Sequence, residues 1–204
     1  MNKVAIIDYG INNINSVRNA FEAVGAEVQI AHDPESLGAC DRIVLPGVGS
    51  FPEGMTRLRK AGLDDAIREK SRAGIPILGL CLGMQLLAKT GEEFGDTDGL
   101  NLIDGRVVKL NVSESRLRLP HVGWNDVRFR ADSRLSGELG DSATFYFIHS
   151  YSYQDANATY VTGVCDYGGP VVALIEKDNI FGAQFHPEKS QKAGLRLLSN
   201  FLKC

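Results

Sequence analysis

The stretch Ile75-Pro76-Ile77-Leu78-Gly79-Leu80-Cys81-Leu82-Gly83-Met84-Gln85 joins an apolar run to a series of helix-forming residues through a single cysteine. Glycines stand two residues before and two residues after Cys81. A strand that turns sharply into a helix leaves space only for the smallest side chains, so this spacing predicts a nucleophile elbow that carries a thiol. A helix N-terminus beside the sulfur favours thiolate over thiol. The alternative, a buried structural cysteine, does not explain the paired glycines.

Short apolar runs alternate with helical periodicity in the first half of the chain. An amphipathic helix is predicted where Val17, Ala20, Phe21 and Val24 follow the i, i+3, i+4, i+7 spacing, and Gly25 ends it. This alternation predicts a parallel sheet covered by helices on both faces. The predicted strands are Val4–Asp8, Val28–Ala31, Arg42–Leu45 and Ile75–Leu80, with a second helical pattern at Leu63, Ala66 and Ile67.

After Leu87 the chain consists of short β-prone segments with little helix between them, which predicts a mixed or antiparallel β portion. A final helix is predicted from Ser190, with Leu195, Leu198 and Leu202 on one face. No internal repeat or linker interrupts the sequence. We therefore expect one domain over residues 1–204, with an open, mostly parallel twisted sheet and α/β architecture. The later predicted strands are Arg106–Leu110, Thr144–Ile148, Tyr160–Val164, Val171–Ile175 and Ile180–Phe185.

Composition excludes several function classes. The 204 residues are 44% hydrophobic and 23% charged, with a net charge of −3, so no basic surface for nucleic acid or an anionic membrane is expected. The N-terminus has only four consecutive apolar residues, too few for a signal peptide, and a cytoplasmic location is expected. The remaining cysteines, Cys40, Cys165 and Cys204, are widely spaced, so we predict free structural thiols and no metal site.

A cysteine nucleophile needs a base, and His186 in Phe185-His186-Pro187-Glu188 is the strongest candidate. Proline disfavours the α conformation in the residue before it, so His186 is predicted to be extended. Residues two apart in an extended backbone share a side, which places the Glu188 carboxylate beside the imidazole. That carboxylate fixes the tautomer and leaves the second ring nitrogen for the sulfur. His149 lacks such a carboxylate, because Tyr151 stands two residues after it.

A glycine-rich loop, Leu45-Pro46-Gly47-Val48-Gly49-Ser50-Phe51, follows the third predicted strand. Backbone N–H groups of Val48 and Gly49 are candidate donors to an oxyanion, together with the N–H of Leu82 directly after the nucleophile. An ordinary tight turn is the alternative. A phosphate-binding loop is excluded because the G-x-x-x-x-G-K-[ST] spacing is absent.

With Cys81, His186 and Glu188 in this order, the whole chain resembles the class I, triad-type glutamine amidotransferases. The resemblance implies the α/β fold of that family, hydrolysis of L-glutamine to glutamate and ammonia through a Cys81 thioester, and no cofactor. Its motifs are Pro46-Gly47-Val48-Gly49, Gly79-Leu80-Cys81-Leu82-Gly83-Met84-Gln85, Phe147-Ile148-His149-Ser150-Tyr151 and Gln184-Phe185-His186-Pro187-Glu188-Lys189-Ser190.

The resemblance also implies how glutamine is bound. Gln85 and Glu93 are expected at the α-amino end of glutamine, and Gly49 also belongs to the predicted substrate site. The backbone of His149, Ser150 and Tyr151 is expected beside the α-carboxylate.

No synthase domain fits into 204 residues, so the ammonia must pass to another protein. Within the family, Pro120-His121-Val122-Gly123-Trp124-Asn125 and Asp8-Tyr9-Gly10 resemble subunits of histidine biosynthesis whose partner is a TIM-barrel cyclase. The resemblance places Asn12, Pro120, Trp124 and Lys189 on the partner face. The family often has glycine where this chain has Asn12, and asparagine is the residue that best replaces glycine in such a turn.

Three alternatives remain open from the residues alone. Relatives of such subunits feed ammonia to synthases of amidino sugars in surface polysaccharides. A solitary cysteine hydrolase or peptidase with the same sheet architecture would act without a partner. A catalytically silent binding or regulatory subunit is disfavoured by the intact Cys81, His186 and Glu188.

Overall fold

The computed structural model describes residues 2–11, 13–154 and 159–204 of the chain. Over these residues the helices are α1 (Ile14–Ala23), α2 (Phe51–Lys60), α3 (Leu63–Arg72), α4 (Leu82–Leu86) and α5 (Gln191–Phe201). The strands are β1 (Lys3–Ile7), β2 (Glu27–Ala31), β3 (Arg42–Gly47), β4 (Ile77–Cys81), β5 (Thr90–Gly91), β6 (Thr97–Asp98), β7 (Arg106–Lys109), β8 (His121–Phe129), β9 (Ser142–His149), β10 (Tyr151–Gln154), β11 (Val161–Asp166), β12 (Pro170–Lys177) and β13 (Ile180–Ala183).

The main sheet has the strand order β2-β1-β3-β4-β13-β12-β11-β8-β9. The pairs from β2 to β13 are parallel, and all pairs from β13 to β9 are antiparallel. This confirms the predicted mixed sheet with its antiparallel portion in the second half of the chain. The nucleophile strand β4 lies between β3 and β13, so three loops at the carboxyl ends of neighbouring parallel strands meet at one edge, where α/β proteins place their sites.

Successive residues of each central strand enter different cores, which places helices on both faces of the sheet. In β1, Val4 and Ile6 pack with α1 and α5, whereas Ala5 and Ile7 pack with α2 and α3. Residues of a strand alternate between faces, so an apolar strand of this kind must be covered twice. A small sheet of order β10-β7-β5-β6 joins the α2 and α3 side through the buried side chains of Val107 and Tyr153.

The sequence prediction missed one helix and one long strand. Helix α2 begins directly after the glycine-rich loop, and its Pro52 and Gly54 concealed the apolar spacing of Phe51, Met55 and Leu58. Strand β8 alternates between exposed and more buried residues. Polar residues such as Asn125, Asp126 and Arg128 give it little apolar character in the sequence. The last predicted strand, 180–185, ends at Ala183 because a turn leads into Pro187.

In the described parts of the chain, no helix is both long enough and apolar enough to cross a membrane.

Candidate active site

Cys81 ends β4 in a strained backbone conformation, with φ 54° and ψ −111°, and α4 begins at the next residue. The two glycines are required by close backbone contacts. A Cβ on Gly79 would lie 2.6 Å from the carbonyl carbon and oxygen of Gly83, and a Cβ on Gly83 would lie 1.7 Å from the carbonyl oxygen of Leu45. The turn therefore has the shape of a nucleophile elbow, as the glycine spacing predicts.

His186 lies in the loop after β13, with the extended backbone that Pro187 predicts. Its Nδ1 is 2.8 Å from the Oε1 of Glu188. The mechanism of this approach differs from the prediction, because Glu188 is in a 3₁₀ turn over Pro187–Lys189 and not in an extended segment. The turn brings the carboxylate within hydrogen-bond distance of the imidazole, and both side chains are almost fully buried.

The charge state of His186 is set by its neighbours. Burial alone would lower the pKa of the imidazole, but the Cys81 sulfur and the Glu188 carboxylate outweigh burial and raise this pKa to about 10. Nε2 of the ring has no hydrogen-bond partner among the described residues, so it is the ring nitrogen that can exchange a proton with the Cys81 sulfur. An imidazolium held in this way stabilises a neighbouring thiolate.

A cavity of about 240 Å³ opens beside the sulfur. It brings together nearly all of the residues that the sequence assigned to glutamine and to the oxyanion. Ile148, whose carbonyl oxygen lies 3.8 Å from Sγ of Cys81, also lines the cavity and was not predicted. The predicted residues around it are Val48, Gly49, Leu82, Gln85, Glu93, Pro120, His149, Ser150 and Tyr151.

Hydrogen bonds fix the side chains of Gln85 and Glu93. Nε2 of Gln85 donates to the carbonyl oxygen of Tyr151 at 2.9 Å and to Oε1 of Gln184 at 3.1 Å. Glu93 accepts from the backbone N–H of Phe51 at 2.8 Å, at the first turn of α2. Both side chains are therefore held in place at the cavity wall by hydrogen bonds within the protein.

The predicted oxyanion donors are not equivalent. The Val48 N–H donates to the carbonyl oxygen of Ile11 at 3.0 Å, so in this structure it is already engaged. An oxyanion contact from Val48 requires that bond to break. Gly49 has φ +100° with open space at its Cβ position, so this turn depends on glycine for its conformation and not for lack of room.

Tyr9 lies beneath the glycine-rich loop. A Cβ on Gly47 would lie 2.2 Å from its hydroxyl oxygen, which explains the glycine at that position. Burial, followed by the nearby Cys81, raises the pKa of the phenol, so Tyr9 stays neutral.

Sequence reasoning missed Gln184, whose side chain is fully buried beside the nucleophile. Its Nε2 lies 3.9 Å from Sγ of Cys81, while its Oε1 accepts from Gln85. The available signal was position: Gln184 precedes His186 by two residues, the spacing that puts side chains of an extended segment on one side.

Two of the predicted partner residues, Trp124 and Lys189, contact the same aromatic ring, that of Tyr146. Trp124 is 50% exposed, and its ring packs edge-on against that of Tyr146, with the two ring centroids 5.9 Å apart. The Lys189 amine lies 5.8 Å from the centroid of the same tyrosine ring. Pro120 lines the cavity, and Asn12 falls outside the described residues.

The other cysteines are free thiols. Cys40 and Cys165 are buried, and Cys204 is half-buried. Among the described residues, no group of three or more His, Cys, Asp or Glu side chains is arranged to hold a metal ion.

Comparison with known families and structures bears on the family and the fold. Residues 5–204 match the family model for class I glutamine amidotransferases. Two solved structures share the fold at 19% sequence identity and a TM-score of 0.76 each: a glutamine amidotransferase, covering 98% of this chain and 97% of that one, and PurLQS from Thermotoga maritima, covering 99% and 98%.

Curated sequences give a closer match. The imidazole glycerol phosphate synthase subunit HisH 2 of Nitrobacter winogradskyi is 45% identical, with 100% of this chain and 99% of the relative covered. The HisH subunit of Moorella thermoacetica is 43% identical, with 98% and 94% covered.

Proposed function

This chain belongs to the class I glutamine amidotransferase family, and we propose that it is the glutaminase subunit of an imidazole glycerol phosphate synthase, which serves histidine biosynthesis. One observation carries the assignment of the reaction centre: a cysteine on a nucleophile elbow borders the same cavity as His186, whose Nδ1 faces Glu188, and Gln85 and Tyr151 also line it.

The reaction begins with attack of the Cys81 thiolate on the side-chain carboxamide carbon of glutamine. The resulting oxyanion takes hydrogen bonds from the Leu82 N–H and, once the Val48 N–H has left the Ile11 carbonyl, from the Val48–Gly49 turn, and each such donor lowers the barrier by about 3 kcal/mol. Collapse of this intermediate breaks the carbon–nitrogen bond. His186 gives its proton to the departing nitrogen, so that ammonia leaves and a thioester remains.

Water then completes the reaction. His186, now neutral, takes a proton from the attacking water molecule, and Glu188 keeps the ring oriented through its bond to Nδ1. Release of glutamate returns the sulfur to thiolate and the imidazole to imidazolium. The raised pKa of His186 favours the imidazolium between turnovers.

An exposed apolar strip supports docking of a partner next to the site. The strip consists of Val122, Trp124 and Ile148, which are 51%, 50% and 43% exposed. Val122 and Ile148 are directly opposed across the antiparallel pair β8–β9, so the strip occupies one face of the sheet edge. Ile148 also lines the cavity, which joins the strip to the reaction centre.

We take the partner to be a TIM-barrel cyclase, as the resemblance of the Pro120–Asn125 segment implies. Ammonia released into water is largely protonated and no longer nucleophilic, so a docked acceptor at the cavity mouth is chemically necessary. An apolar strip with one tryptophan beside a lysine matches the aromatic anchors and polar surroundings of protein interfaces.

Substitution of the nucleophile tests the reaction. Cys81→Ser, assayed as the complex with its co-purified partner, is expected to lose glutamine hydrolysis by at least about 1,000-fold, because a serine hydroxyl beside an imidazolium is a poor nucleophile. Cys40→Ser is the matched control and should retain activity. Wild-type turnover in Cys81→Ser would overturn the proposed chemistry.

The pathway is tested separately from the reaction. The chain, expressed in a histidine auxotroph that lacks its glutaminase subunit, is expected to restore growth without histidine, and Cys81→Ser is not. Active glutaminase without complementation, together with capture of a different synthase, would assign the ammonia to another product.

A further inference from the structure

Two buried histidines, His121 and His149, are in contact beside the glutamine cavity, and neither has a role in the proton transfers described above. Nδ1 of His121 is 3.1 Å from Nε2 of His149. The His121 ring is stacked between Phe147, at a centroid distance of 4.7 Å, and Tyr167, at 3.9 Å. His121 is 2% exposed and His149 is 6% exposed, so both rings are fixed by packing.

The ends of this pair determine where its protons lie. Nδ1 of His149 is 2.8 Å from the carbonyl oxygen of Tyr151, which can only accept, so this nitrogen carries a proton. At the other end, Nδ2 of Asn125 donates to the carbonyl oxygen of Asp166 at 2.8 Å, which identifies it as the amide nitrogen. The same Nδ2 lies 3.2 Å from Nε2 of His121, which must therefore accept.

Only one arrangement satisfies every contact. Asn125 donates to Nε2 of His121, Nδ1 of His121 donates to Nε2 of His149, and Nδ1 of His149 donates to Tyr151. We call these three bonds the histidine relay. Burial lowers the pKa of each histidine to about 4, which keeps both rings neutral near pH 7 as the relay requires.

The relay ends on a carbonyl group that belongs to the glutamine site. The Tyr151 oxygen receives two hydrogen bonds, from His149 at 2.8 Å and from Gln85 at 2.9 Å. Gln85 in turn holds Gln184, whose amide nitrogen is 3.9 Å from Sγ of Cys81. The Tyr151 carbonyl oxygen is therefore held by two donors that approach from different elements, β9 and α4.

We propose that His121 and Asn125 are positioning residues for glutamine: through His149 they fix the Tyr151 carbonyl, and with it the wall of the cavity that receives the α-carboxylate end. This inference rests on the proposed function. Neither residue contacts the cavity directly in the described structure, and both act through His149. Without the relay, the Tyr151 carbonyl oxygen keeps only the Gln85 donor, so its position at the cavity wall is less well fixed.

Two electrophiles distinguish an effect on glutamine binding from an effect on the reactivity of the Cys81 sulfur. The glutamine analogue 6-diazo-5-oxo-L-norleucine must occupy the cavity before it labels Cys81, whereas iodoacetamide reports the sulfur alone. In the full chain with its partner, His121→Phe keeps a stacked ring but removes both nitrogens. We expect the half-saturating analogue concentration to rise about 5- to 10-fold, the effect of one net hydrogen bond, with the maximal labelling rate and the iodoacetamide rate within about twofold of wild type.

Matched variants identify the relay as the cause. Tyr167→Phe removes a hydroxyl that donates to the Arg118 carbonyl and leaves the His121 stacking surface, so it should label like wild type. His121→Gln offers a donor and an acceptor in place of the two nitrogens and should recover part of the lost affinity. Asn125→Asp sits at a half-buried position and should weaken analogue binding, because a carboxylate cannot donate to Nε2 of His121.

Long-range ¹H–¹⁵N spectra of the histidine rings give an independent readout. In the wild type both rings should carry their proton on Nδ1, and Asn125→Asp should move a proton onto Nε2 of His121. A folded His121→Phe that saturates at the wild-type analogue concentration, or a wild-type His121 protonated on Nε2, would overturn the relay alone. Wild-type protein that iodoacetamide labels but that neither the analogue labels nor glutamine turns over would overturn the proposed function.

Discussion

At the scale of single residues, the site depends on how three buried groups share charge. His186 lies between the Cys81 sulfur and the Glu188 carboxylate, and these neighbours raise its pKa against the effect of burial. A neutral histidine, in contrast, is found at His121 and His149, where burial is the leading influence and their pKa values are lowered. One chain therefore uses the same side chain in two charge states within a small volume.

Replacing the carboxylate of the triad tests this view. Glu188→Gln removes the negative charge beside Nδ1, so the pKa of His186 should fall from about 10. We expect kcat for glutamine hydrolysis to drop about 100-fold or more, since both tautomer control and imidazolium stabilisation are lost. The pH profile of iodoacetamide labelling should also change shape, and an unchanged profile with unchanged kcat would argue against a role for Glu188 in charging His186.

At the scale of elements, the elbow is fixed by backbone contact between β3, β4 and α4. A Cβ on Gly83 would meet the Leu45 carbonyl oxygen at 1.7 Å, a contact that neither strand nor helix can relieve by side-chain movement. Close approach of this kind is what places the sulfur at the carboxyl edge of the sheet.

Gly83→Ala should therefore destabilise the fold by about 3 kcal/mol or more, because the helix must move away from the neighbouring strand. The midpoint of urea unfolding measures the loss. Gly137→Ala is the matched control, since a Cβ there would first meet Asn200 at 3.4 Å, and its midpoint should remain near that of the wild type. Equal midpoints for both variants would contradict the packing argument.

The apolar strip on β8–β9 gives a second prediction at this scale. Trp124→Ala should weaken binding of the purified cyclase about 30-fold while leaving the unfolding midpoint unchanged, because a half-exposed tryptophan contributes little to the core. Leu117→Ala, at a residue 41% exposed outside the strip, is the control. Titration calorimetry measures the affinity of each variant for the cyclase. Equal affinity of both variants would mean that the interface does not include Trp124.

At the scale of the whole molecule, the buried histidines link stability to pH. His121 and His149 have pKa values of about 4 when folded and about 6.5 when unfolded, so the unfolded chain binds more protons between these values. Their contribution to stability is complete above pH 6.5 and declines as the pH falls towards 4. His186 acts in the opposite direction, because its raised pKa makes its contribution complete at low pH and lost as the pH rises towards 10.

Comparing the free energies of unfolding of the wild type and His121→Phe separates the effect of His121 from the opposite effect of His186, which both proteins share. The wild type should be more stable than His121→Phe at pH 7.5, and this advantage should shrink by about 2 kcal/mol at pH 5, where only the wild type has a neutral His121 to protonate on unfolding. Urea unfolding at the two pH values measures the change. A pH-independent difference would mean that His121 has the same proton affinity in the folded and unfolded chain.

Much of this protein follows from local sequence. The glycines around Cys81 specify the elbow because no other residue fits that turn, and Pro187 determines the extended backbone of His186. Alternating apolar strands and amphipathic helices specify a sheet covered on both faces, since strand residues alternate between two cores. Glycine spacing, the X-Pro bond and the apolar alternation can all be read from chain neighbours, so the sequence alone predicted these features, although the Gly83 contact itself is with the Leu45 carbonyl of β3.

Other features required the tertiary structure. The approach of Glu188 depends on a 3₁₀ turn, the engagement of the Val48 N–H depends on the carbonyl oxygen of Ile11, and the histidine relay joins β8, β9 and β10. Each is a contact between segments far apart in the chain, or a local geometry that packing selects from several accessible ones. Spacing along a sequence cannot encode the direction of a hydrogen bond between such segments, because that direction is decided only when the strands are paired and the groups are buried together.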